Sequence, residues 1–322
     1  MKKNTKQLLI GSGIAAAGAA LAGAGHRSLS RFFVNVAIGR NVPHHSQRAE
    51  RLLTGSEPDP EMQQAIADAS RHLLTVPMQT VQTLSRDGLQ LVGHWYKNPQ
   101  AQRVIIAMHG WRSSWYRDFS LIYDFMRKSG CSILFAEQRA HGNSEGAYLG
   151  FGLLERYDCL AWIQFLCRQT DLPVYLAGIS MGASTVLMAG GLALPTSVKG
   201  IIADCGYTSP AAIWKHVAKN NLHLSYRLYQ AAVNDLCRQR IHCTGEEYSC
   251  VDAMRLCKVP VLFIHGTDDR FVPVEMTYEN YKACAAPKYL LIVPGAAHGT
   301  SYWVNEAAYQ EALQVFWQRY DR

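Results

Sequence analysis

Among its 322 residues the chain has no C-x-x-C pair, no internal repeat, no low-complexity tract and, beyond residue 51, no net charge. Without C-x-x-C spacing, zinc ribbons and thioredoxin-type redox sites are excluded. The nine cysteines are an odd number, so they cannot all be paired within the chain. Cys131, Cys159 and Cys167 sit in apolar runs and read as small core residues. Cys237, Cys243, Cys250 and Cys257 cluster in one stretch, where a disulfide would require an oxidising compartment. The formal charge of +7 invites a nucleic-acid reading. Of 32 basic and 25 acidic residues, however, eight basic and one acidic lie within residues 1–51, which leaves 24 of each in the body. A basic stripe that tracks phosphates needs its excess on the globular surface, so no nucleic-acid partner is expected.

Charge is also missing from Leu8 to Gly25, a Gly- and Ala-rich apolar stretch behind Lys2, Lys3 and Lys6. Residues 1–25 read as a signal anchor, or as a signal peptide cut after the small residues Ala22-Gly23-Ala24. Basic residues flank both sides, so the positive-inside rule assigns no orientation. The expectation is membrane association through this single segment, with the body extracytoplasmic, or a secreted body after cleavage. Residues 26–80 form a basic linker with short helices: Leu29 to Ile38 is expected as an interfacial amphipathic helix, and Pro60 after Asp59 starts another, with Met62, Ile66, Ala69 and Leu73 at helical spacing.

From Val81 onward a hairpin signal at Asp87-Gly88 is followed by apolar strands alternating with helices. The strands are Val104 to Met108, Ser132 to Ala136, Val174 to Ala177, Gly200 to Ala203, Val261 to Ile264 and Tyr289 to Val293. Helices are expected over Leu153 to Cys167, Met181 to Leu192 and Tyr302 to Arg319. Uninterrupted apolar strands predict an α/β fold, a mainly parallel sheet covered by helices on both faces. Residues 81–322 form this domain, and about 205–258 are an insertion rich in aromatic and aliphatic residues. Chemistry in such sheets gathers at the carboxyl ends of the strands.

At one such end, Gly178-Ile179-Ser180-Met181-Gly182 joins a strand directly to a helix. This G-x-S-x-G turn is sharp, and glycines at its flanks remove the Cβ atoms that would crowd strand and helix, which lifts Ser180 above the sheet. A serine hydroxyl needs a base, and the base needs an orienting acid. His298 follows the last apolar strand and is the one histidine of twelve beyond His265. His265 itself ends a strand and reads as a turn residue. Asp268 and Asp269, in the loop after Val261 to Ile264, compete for the acid role, with Asp204 a third candidate. The Met181 N–H, at a helix start behind Ser180, is suited to hold an oxyanion.

Four stretches resemble motifs of the α/β-hydrolase family: the elbow at Ser180, His265-Gly266-Thr267-Asp268-Asp269-Arg270-Phe271-Val272-Pro273, His109-Gly110-Trp111, and Glu137 to Gly146, where Glu137 replaces the usual Asp. The chain is most similar to membrane-anchored bacterial α/β-hydrolases of the serine aminopeptidase-like group. That resemblance implies the α/β-hydrolase fold with a cap over the nucleophile, a triad of Ser180, Asp269 and His298, and an oxyanion hole of the Trp111 and Met181 backbone N–H groups. It gives the 137–146 loop a structural role and implies no organic cofactor and no metal. The expected activity is ester hydrolysis on a small-molecule acyl substrate through an acyl-enzyme. The alternatives are a peptidase, an acyltransferase or thioesterase on the same triad, and a membrane-tethered binding protein of low turnover.

Overall fold

A computed structural model describes residues 25–41 and 59–321. The expected anchor, residues 1–25, lies outside these apart from its last residue; among the described residues no helix is long and apolar enough to cross a membrane.

Eight strands form one sheet in the order β1-β2-β4-β3-β5-β6-β7-β8. These are β1 Gln79–Leu84, β2 Gln90–Tyr96, β3 Arg103–Met108, β4 Cys131–Ala136, β5 Val174–Ile179, β6 Val198–Asp204, β7 Val261–Gly266 and β8 Lys288–Val293. Only β1 with β2 and β2 with β4 pair antiparallel; every later pairing is parallel. The period of two splits each central strand between two cores. In β3, Val104, Ile106 and Met108 join the core on one face, and Ile105 and Ala107 the core on the other. All six residues of β3 are buried, which is why the strand reads as an unbroken apolar run. The first face is covered by helices Glu155–Cys167, Met181–Gly190 and Cys250–Leu256, the second by Ser120–Lys128 and Glu306–Tyr320.

Two helices differ from the sequence expectation for local reasons. The C-terminal helix is broken into Ser301–Val304 and Glu306–Tyr320, because the Asn305 side chain accepts from Ala308 N at 3.1 Å and caps a new start. The insertion is also smaller than 205–258. Helix Cys250–Leu256 returns to the body and packs against Met181–Gly190, so the cap consists of Pro210–His216, a π turn at Val217–Asn221, and Tyr226–Ile241. Helix Pro60–Thr75 begins as its residues dictate, with Asp59 Oδ1 accepting from Glu61 N at 2.9 Å.

The C-terminal end is tied to the middle of the sheet. Arg103, at the start of β3, is 5% exposed and donates to Asp321, which also accepts from the Tyr175 hydroxyl at 2.9 Å. The guanidinium lies 4.8 Å above the Trp317 ring.

Near the other end, backbone 25–38 is helical and leans on the cap rather than lying free. Val34 and Ile38, one helical turn apart, are 3% and 0% exposed, whereas Phe32 on the opposite side is 54% exposed.

Candidate active site

Ser180 sits between β5 and helix Met181–Gly190 with φ of +57°. A side chain with a Cβ rarely adopts that conformation, so the elbow is held by its surroundings. A Cβ on Gly178 would lie 2.2 Å from the Gly182 carbonyl group, and one on Gly182 would lie 1.9 Å from the Met108 oxygen. Neither position has room for any residue but glycine.

The loops after β7 and β8 deliver the other two groups. His298 Nε2 lies 2.8 Å from Ser180 Oγ, and His298 Nδ1 lies 2.6 Å from Asp269 Oδ2. The remaining capacity of Asp269 is filled: Oδ1 accepts from Phe271 N at 2.9 Å and Val272 N at 2.8 Å, and Oδ2 also meets His265 Nε2 at 3.1 Å. His265 is wholly buried and held at its other nitrogen by the Thr277 hydroxyl at 2.6 Å. It is therefore a brace for the acid and, contrary to the expected turn residue, lies within β7 paired with Ile292; its place four residues before Asp269 could have suggested the bracing role.

Burial pushes the Asp269 carboxyl up, but the His298 charge and hydrogen bonds from His265 and His298 outweigh it and hold the group well below the usual carboxylate range. Burial likewise pushes His298 down, and the Asp269 charge raises it well above the ordinary imidazole value. Cys205 also neighbours His298, but burial pushes its thiol up to about 11, so it is neutral at pH 7 and Asp269 is the group that holds the imidazole up. Cys205, Asp269 and His298 present ligand atoms within 4.8 Å of one another. A cation bound there would have to displace the proton shared by Asp269 and His298. The other two aspartates lie elsewhere. Asp204, buried at the end of β6, accepts from the Ser301 hydroxyl at 3.1 Å, and burial pushes its carboxyl up to about 6. Asp268 is exposed beside Thr267.

The loop after β3 abuts the elbow: a Cβ on Gly110 would meet Ser180 Cβ at 3.4 Å. Gly110 N donates to Asp118 Oδ2 at 2.6 Å, and Ser113 hydrogen-bonds the same carboxylate. Asp118 thus shapes the backbone around Trp111, and sequence reading missed it because it belongs to no local motif. Met181 N heads its helix, where an N–H has no intrahelical acceptor. Neither it nor Trp111 N makes a backbone hydrogen bond among the described residues. Glu137, where Asp is usual, receives His94 Nε2 at 2.7 Å and the Asn143 amide groups. Its extra methylene carries the carboxylate over Gly142, where a Cβ would lie 2.2 Å from Oε2. The loop is a hydrogen-bonded scaffold behind the site.

Two spaces flank this constellation. A cleft of about 580 Å³ holds Ser180 and His298 and is lined in part by polar groups, among them Asp118, Arg117 and Asp204. A second cavity, about 120 Å³, lies under the cap and has no charged residue in its lining. Trp111 and Phe271 line both spaces and stand between them, 6.4 Å apart, with the Phe271 ring 4.9 Å from His298.

Comparison with known proteins agrees with this architecture. The Pyrococcus furiosus esterase Pf2001 superposes with a TM-score of 0.64 over 78% of this chain and 94% of its own, at 22% identity. The chain has the α/β-hydrolase fold. A family model described as serine aminopeptidase, S33, matches residues 99–243 of this chain. The Pyrococcus horikoshii acylaminoacyl peptidase shares its fold over 78% of this chain and 43% of its own, with a TM-score of 0.55 and 18% identity. Among curated sequences the chain is similar to the uncharacterized protein YqkD of Bacillus subtilis, 27% identical over 235 residues that cover 71% of this chain and 75% of YqkD. It is also similar to the uncharacterized protein YfhR of Escherichia coli K12, at 22% identity over 68% and 73%.

Proposed function

We propose that this α/β-hydrolase is a serine esterase acting on short to medium acyl chains, tethered to a membrane by residues 1–25. The observation that carries the reading is the unbroken hydrogen-bonded line from Ser180 Oγ through His298 to Asp269, set beside an uncharged cavity. In the reaction, Ser180 Oγ attacks the ester carbonyl carbon and its proton passes to His298 Nε2. Asp269 keeps the His298 proton on Nδ1, so that Nε2 is free to accept. The carbonyl oxygen becomes an oxyanion held by the Trp111 and Met181 N–H groups. On collapse, His298 returns the proton to the leaving alcohol, which departs through the larger cleft. Water, activated by the same imidazole, then releases the acid and restores Ser180. This cycle uses side chains and backbone alone.

The small cavity argues for an acyl group over an amino acid. An α-ammonium would be buried there without a carboxylate, at a cost of several kcal/mol. An engineered apolar cavity of about 150 Å³ in another protein takes benzene, so about 120 Å³ suits an acyl portion of a few carbons. The peptidase reading is favoured by one finding, the serine aminopeptidase description of the matching family model; a peptide's amino end would then sit in the larger cleft near Asp118 and Asp204.

The test is a panel of aryl esters from acetyl upward, aminoacyl-arylamides and acyl-thioesters, run alongside fluorophosphonate labelling. Labelling at Ser180 and an ester optimum at short to medium length are expected. Faster turnover of aminoacyl-arylamides than of every ester would replace the esterase with a peptidase, and absence of labelling would leave a binding protein.

A further inference from the structure

The acyl cavity is not built by the hydrolase body and cap alone. Phe33, Val34, Val36, Ala37 and Ile38 of the 25–38 helix supply one wall, opposite Trp214 and Leu224 of the cap. The helix is fastened to the residues beside Ser180. Trp111 Nε1 donates to the Ala37 oxygen at 2.8 Å, and Arg112 Nη2 donates to the oxygens of Val36 at 2.7 Å and Gly39 at 2.6 Å. These carbonyls lie at or just past the carboxyl end of the helix, where they lack intrahelical partners and a cation is favoured. Arg40 extends the attachment, donating to the Gly142 oxygen at 2.6 Å and the Ser144 oxygen at 2.5 Å. At the amino end His26 stacks on Tyr229 of the cap, with ring centroids 4.9 Å apart, and its Nε2 hydrogen-bonds the Leu228 oxygen at 2.8 Å. The helix therefore spans the cap, the Trp111 loop and the 137–146 scaffold. A segment serving only as a spacer to an anchor would not need to bury Val34 and Ile38 or fill three sets of donors.

We propose that residues 25–41 are part of the substrate site, and that Val34 and Ala37 determine how many acyl carbons the cavity accepts. This deepens the esterase reading and rests on it. Ala37 and Val34 act through volume. Each acyl methylene that the wall excludes loses about 4-fold in catalytic efficiency. Ala37→Leu adds three carbons to the cavity wall, so the ratio of kcat/KM for hexanoyl over acetyl aryl ester should fall on the order of 60-fold. Val34→Ala removes two carbons and should raise the ratio of octanoyl over hexanoyl by up to about 15-fold.

The experiment uses the full chain in detergent, wild type and both variants, with fluorophosphonate capture at Ser180 as the measure of an intact site. Opposite shifts in chain-length preference support the proposal. Unmoved ratios in variants that still label would overturn it, as would equal loss on all chain lengths, which marks a purely structural segment. If Ala37→Leu fails to label, Val34→Ala decides alone, since a lost volume does not obstruct packing. Failure of the wild-type chain to label or to cleave any ester is a different result: it removes the esterase reading itself.

Discussion

Replacing Asp269 by asparagine changes one atom, and the structure dictates which way the new amide must face. Oδ1 receives two backbone donors, Phe271 N and Val272 N, so only the amide oxygen can occupy that place without opposing N–H to N–H. The NH₂ group is then forced to the Oδ2 position, facing His298 Nδ1 at 2.6 Å. To avoid that donor, His298 must move its proton to Nε2, where it blocks acceptance of the Ser180 proton. The fold should survive, because both backbone N–H groups keep their acceptor. We expect kcat to fall about 10⁴-fold, roughly 5.4 kcal/mol of transition-state stabilisation, as for the wrong tautomer in other triads. Steady-state hydrolysis of a short aryl ester measures the loss, with circular dichroism as the fold control. Asp204→Asn and Asp268→Asn are the comparators: Asp204 hydrogen-bonds Ser301, and Asp268 is exposed. A loss under 10-fold for Asp269→Asn, or a larger one for Asp204→Asn, refutes the assignment of the acid.

Ser180→Ala should lower turnover about 10⁶-fold with an unchanged fold, and retention of most esterase activity in a folded variant would remove Ser180 from the mechanism. The base must be neutral to accept a proton, and His298 is raised above its ordinary value of 6.5, so kcat/KM should fall with pH through a midpoint above 6.5; a midpoint below 6.5 would contradict control by Asp269. In stability, the depressed Asp269 contributes above its unfolded value near 3.8 and loses that contribution as pH falls through its lower folded value, which acid unfolding of Asp269→Asn against wild type measures. All nine cysteines are free and only Cys167 is exposed. A membrane-impermeant maleimide should therefore label Cys167 on intact cells if the tethered body is extracytoplasmic, while labelling only after lysis would place it inside, and release of the chain by salt washing would sink the tether.

The strands and the elbow were legible because their causes are local. A buried parallel strand must be apolar on both faces, and a strand that turns sharply into a helix needs glycines where Gly178 and Gly182 stand. Asp269 was separable from Asp268 only through a family resemblance, because the two differ in what folds over them: Phe271 N and Val272 N approach one and solvent the other. Asp118 and Phe271 carried no signal, since each acts through a neighbour fixed by tertiary packing. The expectation of a helix from Leu29 to Ile38 rests on amphipathic pattern alone. The spacing of Val34 and Ile38 announces a buried stripe, but nothing local says whether that stripe meets lipid or protein. Its true partners, Trp111 and Tyr229, lie 74 and more residues further on.

The Arg103–Asp321–Tyr175 clamp carries a consequence for biosynthesis. The charge at the start of central strand β3 is neutralised by a residue 218 positions further along the sequence. During translation Arg103 waits for a carboxylate that arrives only after more than two hundred further residues have been joined, at about 5–20 per second. Over that interval the guanidinium lacks a counter-charge, and a nascent sheet without helix Glu306–Tyr320 also lacks the Phe316 and Trp317 rings of one core. Asp321→Asn should thus leave the triad whole and still lower the yield of folded chain, because the Arg103 guanidinium would be buried without a counter-charge.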